Sequence, residues 1–178
     1  MIVRIRLRQG PALGLRLAPF VYPSAGDPRV AVLVPGFRET RQVRYFRNPL
    51  GDDLAKFNPD VLAATAAQLG WMAMTGRAAA LHRGIVVLGY PGETGLNQYE
   101  RDLLWDVFGV PVFEQYLTRR NRLIASECDA HEGLHLYGST LVRQGWRIER
   151  SLCACGNPHP RMMQAPALAA AGPERLVA

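Results

Sequence analysis

The sequence GIVVLGYPGETGLNQYERDLLWDVFGVPVFEQY, residues 84–116, decides the fold class. It opens with the apolar run 85–88, which is typical of a buried strand and ends in a turn rich in glycine and proline. Over residues 94–108 apolar side chains recur at helical spacing, and Gly109 is a suitable stop. Residues 110–116 then predict a second strand. This order favours parallel strands with right-handed crossovers, and so an α/β protein with a mostly parallel sheet and flanking helices.

The residues before this unit predict a further strand and a further helix. Residues 30–34 are wholly apolar, which indicates another buried strand. Asn58 can cap a helix, Pro59 suits its first turn, and Asp60 favours the positive end of the helix dipole. We therefore expect a helix from this point to about Met74.

Arginines carry almost all of the net charge of +6, since Lys56 is the only lysine. Four of them are spaced three residues apart, which would align them on one face of a helix: Arg38, Arg41, Arg44 and Arg47. A solvated face is one interpretation. The weaker alternative is a surface that binds nucleic acid, together with Arg119, Arg120 and Arg122, but a basic surface alone is a weak indicator.

Composition bounds the class of protein. A chain of 178 residues with 48% hydrophobic content suits one domain with a sizeable core. No stretch approaches the roughly 20 apolar residues of a transmembrane helix, and the first residues alternate instead of forming a signal peptide. Three cysteines close to glycines fit metal ligation in a reducing compartment better than a disulfide framework. We therefore expect a cytoplasmic protein that has no membrane segment.

Four segments are expected along the chain. Residues 1–28 begin with period-two alternation and continue through several prolines, which predicts an N-terminal strand and an irregular arm. We expect residues 29–120 to form the parallel-sheet region and residues 121–163 a β region that contains all three cysteines. Residues 164–178 are rich in alanine and proline and are expected to be a flexible tail.

Two cysteine clusters, SECDAHEGLH at residues 126–135 and CACGNPHPRM at residues 153–162, indicate a metal site. Three thiolates and one imidazole are a set that structural zinc favours. The predicted ligands are Cys128, His135, Cys153 and Cys155. His131 and His159 are substitutes for His135, and unlinked thiols with surface histidines are the alternative to a metal site.

Short apolar stretches around these clusters predict small antiparallel strands joined by tight turns. They lie at residues 123–125, 134–137, 140–142 and 146–148. Zinc would staple them into a small β subdomain, because a structural metal substitutes for the hydrophobic core that short strands cannot supply.

The order of several short motifs resembles the phenylacetate–coenzyme A ligase family of adenylate-forming enzymes over roughly residues 57–163. Both cysteine clusters resemble the zinc-binding segment of that family. Residues 57–62, Gly92 with Glu93, and residues 108–116 lie where the family has similar motifs in the same order. The resemblance implies part of the large domain of an adenylate-forming ligase.

The resemblance also implies a ligand pocket at the strand ends, where an adenine would lie near Gly92, Glu93 and Tyr116. We expect the pocket to include the residues Gly92, Glu93, Tyr116, Thr118, Arg119 and Arg120. The chain departs from the family there: Arg120 stands where the family has a magnesium-binding glutamate, and a guanidinium cannot coordinate a cation. A ligand in this pocket is therefore expected to be anionic.

Other family features have no counterpart. No phosphate-gripping loop rich in glycine, serine and threonine precedes Phe57, the segment with the ribose-binding aspartate is missing, and Lys56 cannot stand for the lysine of the family's C-terminal domain. No residue is assigned a catalytic role. We therefore expect a non-catalytic zinc-binding protein, a truncated relative that acts as a binding, regulatory or accessory domain. Its partner would be a protein or a small anionic ligand, and self-association stays open. The alternative is one component of a split acyl-adenylating ligase.

Overall fold

A single nine-stranded sheet organises the computed structural model, which describes residues 17–76, 80–93, 95–137 and 146–164. The strands are β1 (Val30–Val32), β2 (Val43–Tyr45), β3 (Val61–Ala64), β4 (Gly84–Gly89), β5 (Val112–Leu117), β6 (Leu123–Ser126), β7 (Leu134–Leu136), β8 (Trp146–Glu149) and β9 (Arg161–Gln164). The helices are α1 (Asp52–Phe57), α2 (Ala66–Thr75) and α3 (Gln98–Phe108). The strand order is β2-β1-β3-β4-β5-β6-β7-β9-β8.

The parallel half of the sheet contains β2, β1, β3, β4 and β5. The predicted strand, helix and strand of residues 84–116 are confirmed. Helix α3 begins at Gln98 because Asn97 and Glu100 form a reciprocal capping box, and Gly109 ends it at φ 65°.

The helix predicted from Asn58 to Met74 is wrong in its first part. Asn58 ends α1 in the left-handed conformation, with φ 48°, instead of starting a helix. The buried strand Val61–Ala64 follows, and the helix begins only after Thr65, which forms a capping box with Gln68. Strand pairing with β1 and β4 on both sides overrides the local helix signal.

The helical alignment of the four arginines is also wrong. Their segment forms the edge strand β2 and the loops around it, because Val43–Tyr45 pairs in parallel with Val30–Val32. All four arginines are exposed. Arg44 lies over the ring of Phe57, 5.7 Å from its centroid.

Two apolar layers cover the faces of the parallel half. Side chains from α1, α2 and α3 pack on one face, for example Leu54, Leu69 and Leu104 against Leu62. Because successive strand residues alternate between faces, the neighbours of these strand residues form the second core. That second core contains Val30, Val32, Phe37, Val61, Ala63, Val86, Leu88, Phe113 and Leu117.

The N-terminal arm contributes to this second core. Ala18 forms an isolated parallel bridge with Phe37, and Phe20 and Tyr22 pack against the same cluster. The predicted N-terminal strand falls within residues 1–16, which lie outside the described residues, as do residues 165–178 of the predicted tail.

The antiparallel half continues the same hydrogen-bonded sheet through β6, β7, β9 and β8. The expected zinc-stapled β region is therefore an extension of the sheet and not a separate one. Three of the predicted short strands are confirmed, and residues 140–142 lie outside the described part. Strand β9 was not predicted, because its two methionines give a shorter apolar signal than the others.

A row of polar residues crosses the antiparallel half on one face. Cross-strand register places these residues opposite one another in the order Gln115, Ser126, His135, Arg161 and Glu149. The alternate residues on the other face form a third, apolar core with Tyr116, Ala125, Leu134, Leu136 and Met162.

Within the described residues, none of the helices has the length and apolar character that spanning a bilayer requires.

Candidate metal centre

The four predicted ligands converge on one point. The Sγ atoms of Cys128, Cys153 and Cys155 and a ring nitrogen of His135 all lie within 4.8 Å of one another. His135 stands on β7, Cys128 follows β6, and the two other cysteines lie in the loop between β8 and β9. His135, Cys128 and Cys153 are buried, whereas Cys155 is exposed. The structure thus forms a cluster that could hold a metal ion.

Two distances within the cluster match those around a tetrahedral ion. Cys128 Sγ lies 3.7 Å from Cys153 Sγ, and Cys155 Sγ lies 3.4 Å from His135 Nε2. Zinc–sulfur bonds of about 2.3 Å and zinc–nitrogen bonds of about 2.0–2.1 Å at tetrahedral angles imply about 3.8 Å between two sulfurs and about 3.5 Å between sulfur and nitrogen. These two separations match those of a tetrahedral zinc site, and all four donor atoms lie within 4.8 Å of one another.

His135 is oriented by a hydrogen bond on the far side of its ring. Its Nδ1 lies 3.1 Å from the backbone oxygen of His159, so the Nδ1–H tautomer donates there and leaves Nε2 free for the cluster. The imidazole of His159 itself packs on the ring of Tyr137. His131, the other substitute ligand, stacks on Phe113 with ring centroids 5.0 Å apart. The structure thus places His135 beside the three cysteines, and it places neither His131 nor His159 there.

Tight backbone turns shape both ligand loops. Gly133 adopts φ 96° between Cys128 and His135, and Gly156 adopts φ 78° directly after Cys155. The Gly156 N–H donates to the backbone oxygen of Cys153 over 2.9 Å. Positive φ values of this kind favour glycine.

The pKa values of Cys128 and Cys155 are shifted in opposite directions. Burial raises the pKa of Cys128 to about 12, and the adjacent thiols add to the effect. The pKa of Cys155 is lowered: partial burial opposes ionisation, but the Asn157 N–H, which donates to Cys155 Sγ over 3.4 Å, and the two other thiols favour its thiolate. A bound cation would reverse the preference of Cys128 for its proton, because a coordinating thiol is deprotonated outright.

The residues of the predicted ligand pocket lie at and after the ends of β4 and β5. Gly92 and Glu93 lie in an exposed turn after β4. Tyr116 is only 2% exposed, and its hydroxyl donates to Glu114 Oε1 over 2.6 Å. Gly89 packs against the same ring, since a Cβ at this position would come within 3.0 Å of Tyr116.

Thr118, Arg119 and Arg120 belong to the turn between β5 and β6. The Thr118 hydroxyl accepts hydrogen bonds from the backbone N–H groups of Arg120 and Arg122. Both Arg119 and Arg120 are exposed. Asn121 fixes this turn, because its side chain donates to the Pro35 carbonyl over 2.8 Å and accepts from the Tyr90 hydroxyl over 2.8 Å.

A cavity of about 1080 Å³ lies beside the loop that carries Cys128 and not at the ligand cluster itself. Its wall includes a buried charged network that the sequence did not reveal. Arg101 Nη1 donates to Glu127 Oε2 over 3.0 Å, and that same oxygen accepts from the Glu114 N–H over 2.7 Å. These residues come from α3, β5 and the segment after β6, and no spacing in the sequence connects them.

A further pair that the sequence analysis missed lies beside the four-residue cluster. Arg161 Nη1 donates to Glu132 Oε2 over 2.6 Å, and that carboxylate oxygen lies 3.9 Å from Cys153 Sγ. In the sequence, Glu132 lies within the first cysteine cluster and Arg161 lies near the end of the second. This closeness to the predicted ligands was the only sequence feature that could have indicated the pair.

Comparison with solved structures shows a fold shared with a coenzyme A ligase. The chain is similar to an open conformation of 2-hydroxyisobutyryl-CoA ligase in complex with 2-HIB-AMP and CoA, with a TM-score of 0.54 at 13% identity. The similarity covers 78% of this chain and 44% of that one, so this chain spans less than half of the ligase. No protein-family model and no curated protein matches the sequence. At this identity the likeness concerns the fold alone.

Proposed function

We propose that this chain is a zinc-binding, non-catalytic relative of phenylacetate–coenzyme A ligase-like adenylating enzymes, which serves as a binding or accessory domain. One observation carries the proposal: the donor atoms of Cys128, His135, Cys153 and Cys155 lie within 4.8 Å of one another. Three thiolates and an imidazole favour zinc over harder ions, and a full set of four protein ligands is typical of structural sites.

The metal would stabilise the antiparallel half of the sheet. Strand β7 has three residues, and β6, β8 and β9 have four each, so these strands bury little apolar surface by themselves. An ion held by the four ligands would tie β6, β7 and the loop between β8 and β9 together. Its binding free energy would then be part of the free energy of folding.

Several observations support the absence of adenylation chemistry. Arg120 occupies the place that the family gives to a magnesium-binding glutamate, and its side chain is exposed. Tyr116, which would pack on an adenine, is buried and hydrogen-bonded to Glu114. Magnesium coordination needs oxygen ligands, and a guanidinium provides none.

Metal analysis tests the zinc site. Protein purified without chelator is expected to contain about one zinc per chain, because the four ligands make one closed shell. The control is the C128S/C153S/C155S variant, which keeps the chain and removes the thiolates. Wild-type protein that contains no zinc and binds none on addition would contradict the proposal.

Pyrophosphate exchange tests the non-catalytic assignment. The purified chain, incubated with ATP, magnesium and a panel of aryl carboxylic acids, is expected to give no exchange above a blank without protein. A clear signal from the pure chain would refute this part of the proposal, and leave the zinc site standing.

The second candidate is a component of a split acyl-adenylating ligase. The observation that favours it is the fold shared with 2-hydroxyisobutyryl-CoA ligase, a protein whose structure contains 2-HIB-AMP and CoA. Calorimetric titration with ATP, AMP and an aryl-acyl adenylate analogue distinguishes the two. A split ligase should retain micromolar affinity for the adenylate analogue, whereas an accessory domain should show none.

A further inference from the structure

We infer that Arg161 is the charge partner of the metal centre: its guanidinium offsets the negative charge that three thiolates bring to a divalent cation. The inference rests on the proposed zinc site. Arg161 on β9 pairs directly with His135 on β7, so both side chains leave the same face of the sheet. Among the described residues it is the only buried arginine, with 4% of its surface exposed.

The contacts of Arg161 leave part of its guanidinium unused. Nη1 donates to the Glu132 carboxylate and, over 3.3 Å, to the backbone oxygen of Glu132, while Nη2 donates to Ser151 Oγ over 3.2 Å. Nε is buried and has no hydrogen-bond partner within the described part of the protein. A buried N–H without a partner is costly, so a neighbouring anion would explain why it is kept.

Glu132 links this arginine to the cluster. Its Oε2 accepts from Arg161 and also lies 3.9 Å from Cys153 Sγ. Glu149 lies opposite Arg161 on the neighbouring strand β8. The guanidinium is therefore connected to a ligand of the cluster through its ion-pair partner Glu132.

The charge of the loaded site calls for such a cation. Three thiolates, a neutral imidazole and a divalent ion sum to one net negative charge, and three of the four ligands are buried. A buried net charge is costly unless an opposite charge accompanies it. Arg161 supplies that charge from the strand next to His135, and its partner Glu132 offsets it only in part, because the glutamate side chain is 48% exposed and screened by solvent, whereas that of Arg161 is 5% exposed.

Cobalt substitution tests the inference on the full chain. Replacing Arg161 with glutamine is expected to lower the affinity for Co²⁺ and Zn²⁺ about 10- to 100-fold in competition with a chelator. The sulfur-to-cobalt charge-transfer band should move to longer wavelength, because a positive charge no longer lowers the energy of the sulfur lone pairs. R161K keeps the positive charge, so its charge-transfer band should lie at the wild-type position. The matched control is R147Q, an exposed arginine on neighbouring β8, which should change neither quantity.

A second variant keeps the test decisive if R161Q does not fold. Glu132 has a side chain that is 48% exposed, and glutamine can still accept the hydrogen bond from Arg161. E132Q removes a negative charge near the thiolates, so it should strengthen metal binding and shift the band to shorter wavelength. A purely structural role for the pair predicts the opposite sign, since a weaker Arg161–Glu132 contact would loosen the site.

The outcomes separate the two proposals. Equal loss of affinity in R161Q and R161K with an unmoved band, or weaker binding in E132Q, would overturn the role of Arg161 and leave the zinc site intact. A wild-type chain that binds neither Co²⁺ nor Zn²⁺ would overturn the zinc site, and the charge partner with it.

Discussion

The backbone of Gly133 lies against the carbonyl oxygen of Met162. A Cβ placed on Gly133 would come within 2.7 Å of that oxygen, and the residue has φ 96°. This close approach lets the loop after Cys128 turn back over β9 and deliver His135 to the other ligands. It requires both the conformational freedom and the small size of glycine.

Replacing Gly133 with alanine should therefore destabilise the protein by more than the strain of a positive φ alone, which is about 1–3 kcal/mol. G92A is the matched control, because Gly92 has φ 98° but nothing within 4 Å of a Cβ. Urea unfolding of both variants measures the difference. A free energy of unfolding that falls equally in G133A and G92A would show that the contact with Met162 has no cost.

Replacing Cys155 with serine should release the metal and loosen β6, β7 and β9 more than the parallel strands. The parallel half has its own two apolar cores and does not depend on the ion. Hydrogen exchange of the zinc-loaded wild type and of C155S measures this strand by strand. L152A, a change at a 73% exposed side chain of the same loop that leaves all four ligands, is the control. Equal acceleration in β1 and β4 would contradict the expectation.

Tyr90 should make stability fall at high pH. Burial, with a smaller contribution from Glu93, raises the pKa of Tyr90 to about 12, compared with 10.0 for an unperturbed tyrosine. Because the folded state holds this proton more tightly, the stabilisation is complete below pH 10 and is lost as the pH rises towards 12. Unfolding free energies over this range should decline less steeply in Y90F. Y99F, at a tyrosine with 76% exposure, should keep the wild-type slope. Identical slopes for wild type and Y90F would refute the assignment.

Replacing Arg120 with glutamate should change the free energy of unfolding by no more than about 0.5 kcal/mol, because the side chain is exposed. If the surface around the β5–β6 turn binds small anions, the same change should abolish that binding. Calorimetric titration with AMP in the absence of magnesium, at low and high salt, measures it. R38E, a charge reversal at an exposed arginine outside this turn, is the control. Undiminished AMP binding by R120E would exclude this residue from an anion site.

Sequence patterns predicted the elements whose signals are local. Residues 84–116 were read correctly because an apolar run, a capping residue and a terminal glycine each have a nearby physical cause. Residues 58–64 were misread because Asn58 serves equally well at either end of a helix, and only the pairing of β3 with its two neighbours decides between them.

The four residues of the cluster were predictable because zinc chemistry restricts candidate ligands to few residue types, and the chain has only three cysteines and four histidines. Arg161 and Glu132 were not, because arginine and glutamate are common and their pairing depends on the register of β7 with β9. The burial of Tyr116 likewise depends on strands that follow it in the sequence, which no local pattern reports.

The polar row from Gln115 through His135 to Glu149 also acts as a check on strand alignment. Side chains alternate faces, so a slip of one residue between β7 and β9 would set His135 against Met162 or Pro160 instead of Arg161. The four donor atoms of the cluster could then no longer meet, and the proposed ion could not bind. These strands are too short to select their register by apolar contact alone. Metal binding would stabilise only the native register, and so would disfavour misaligned forms of this end of the sheet.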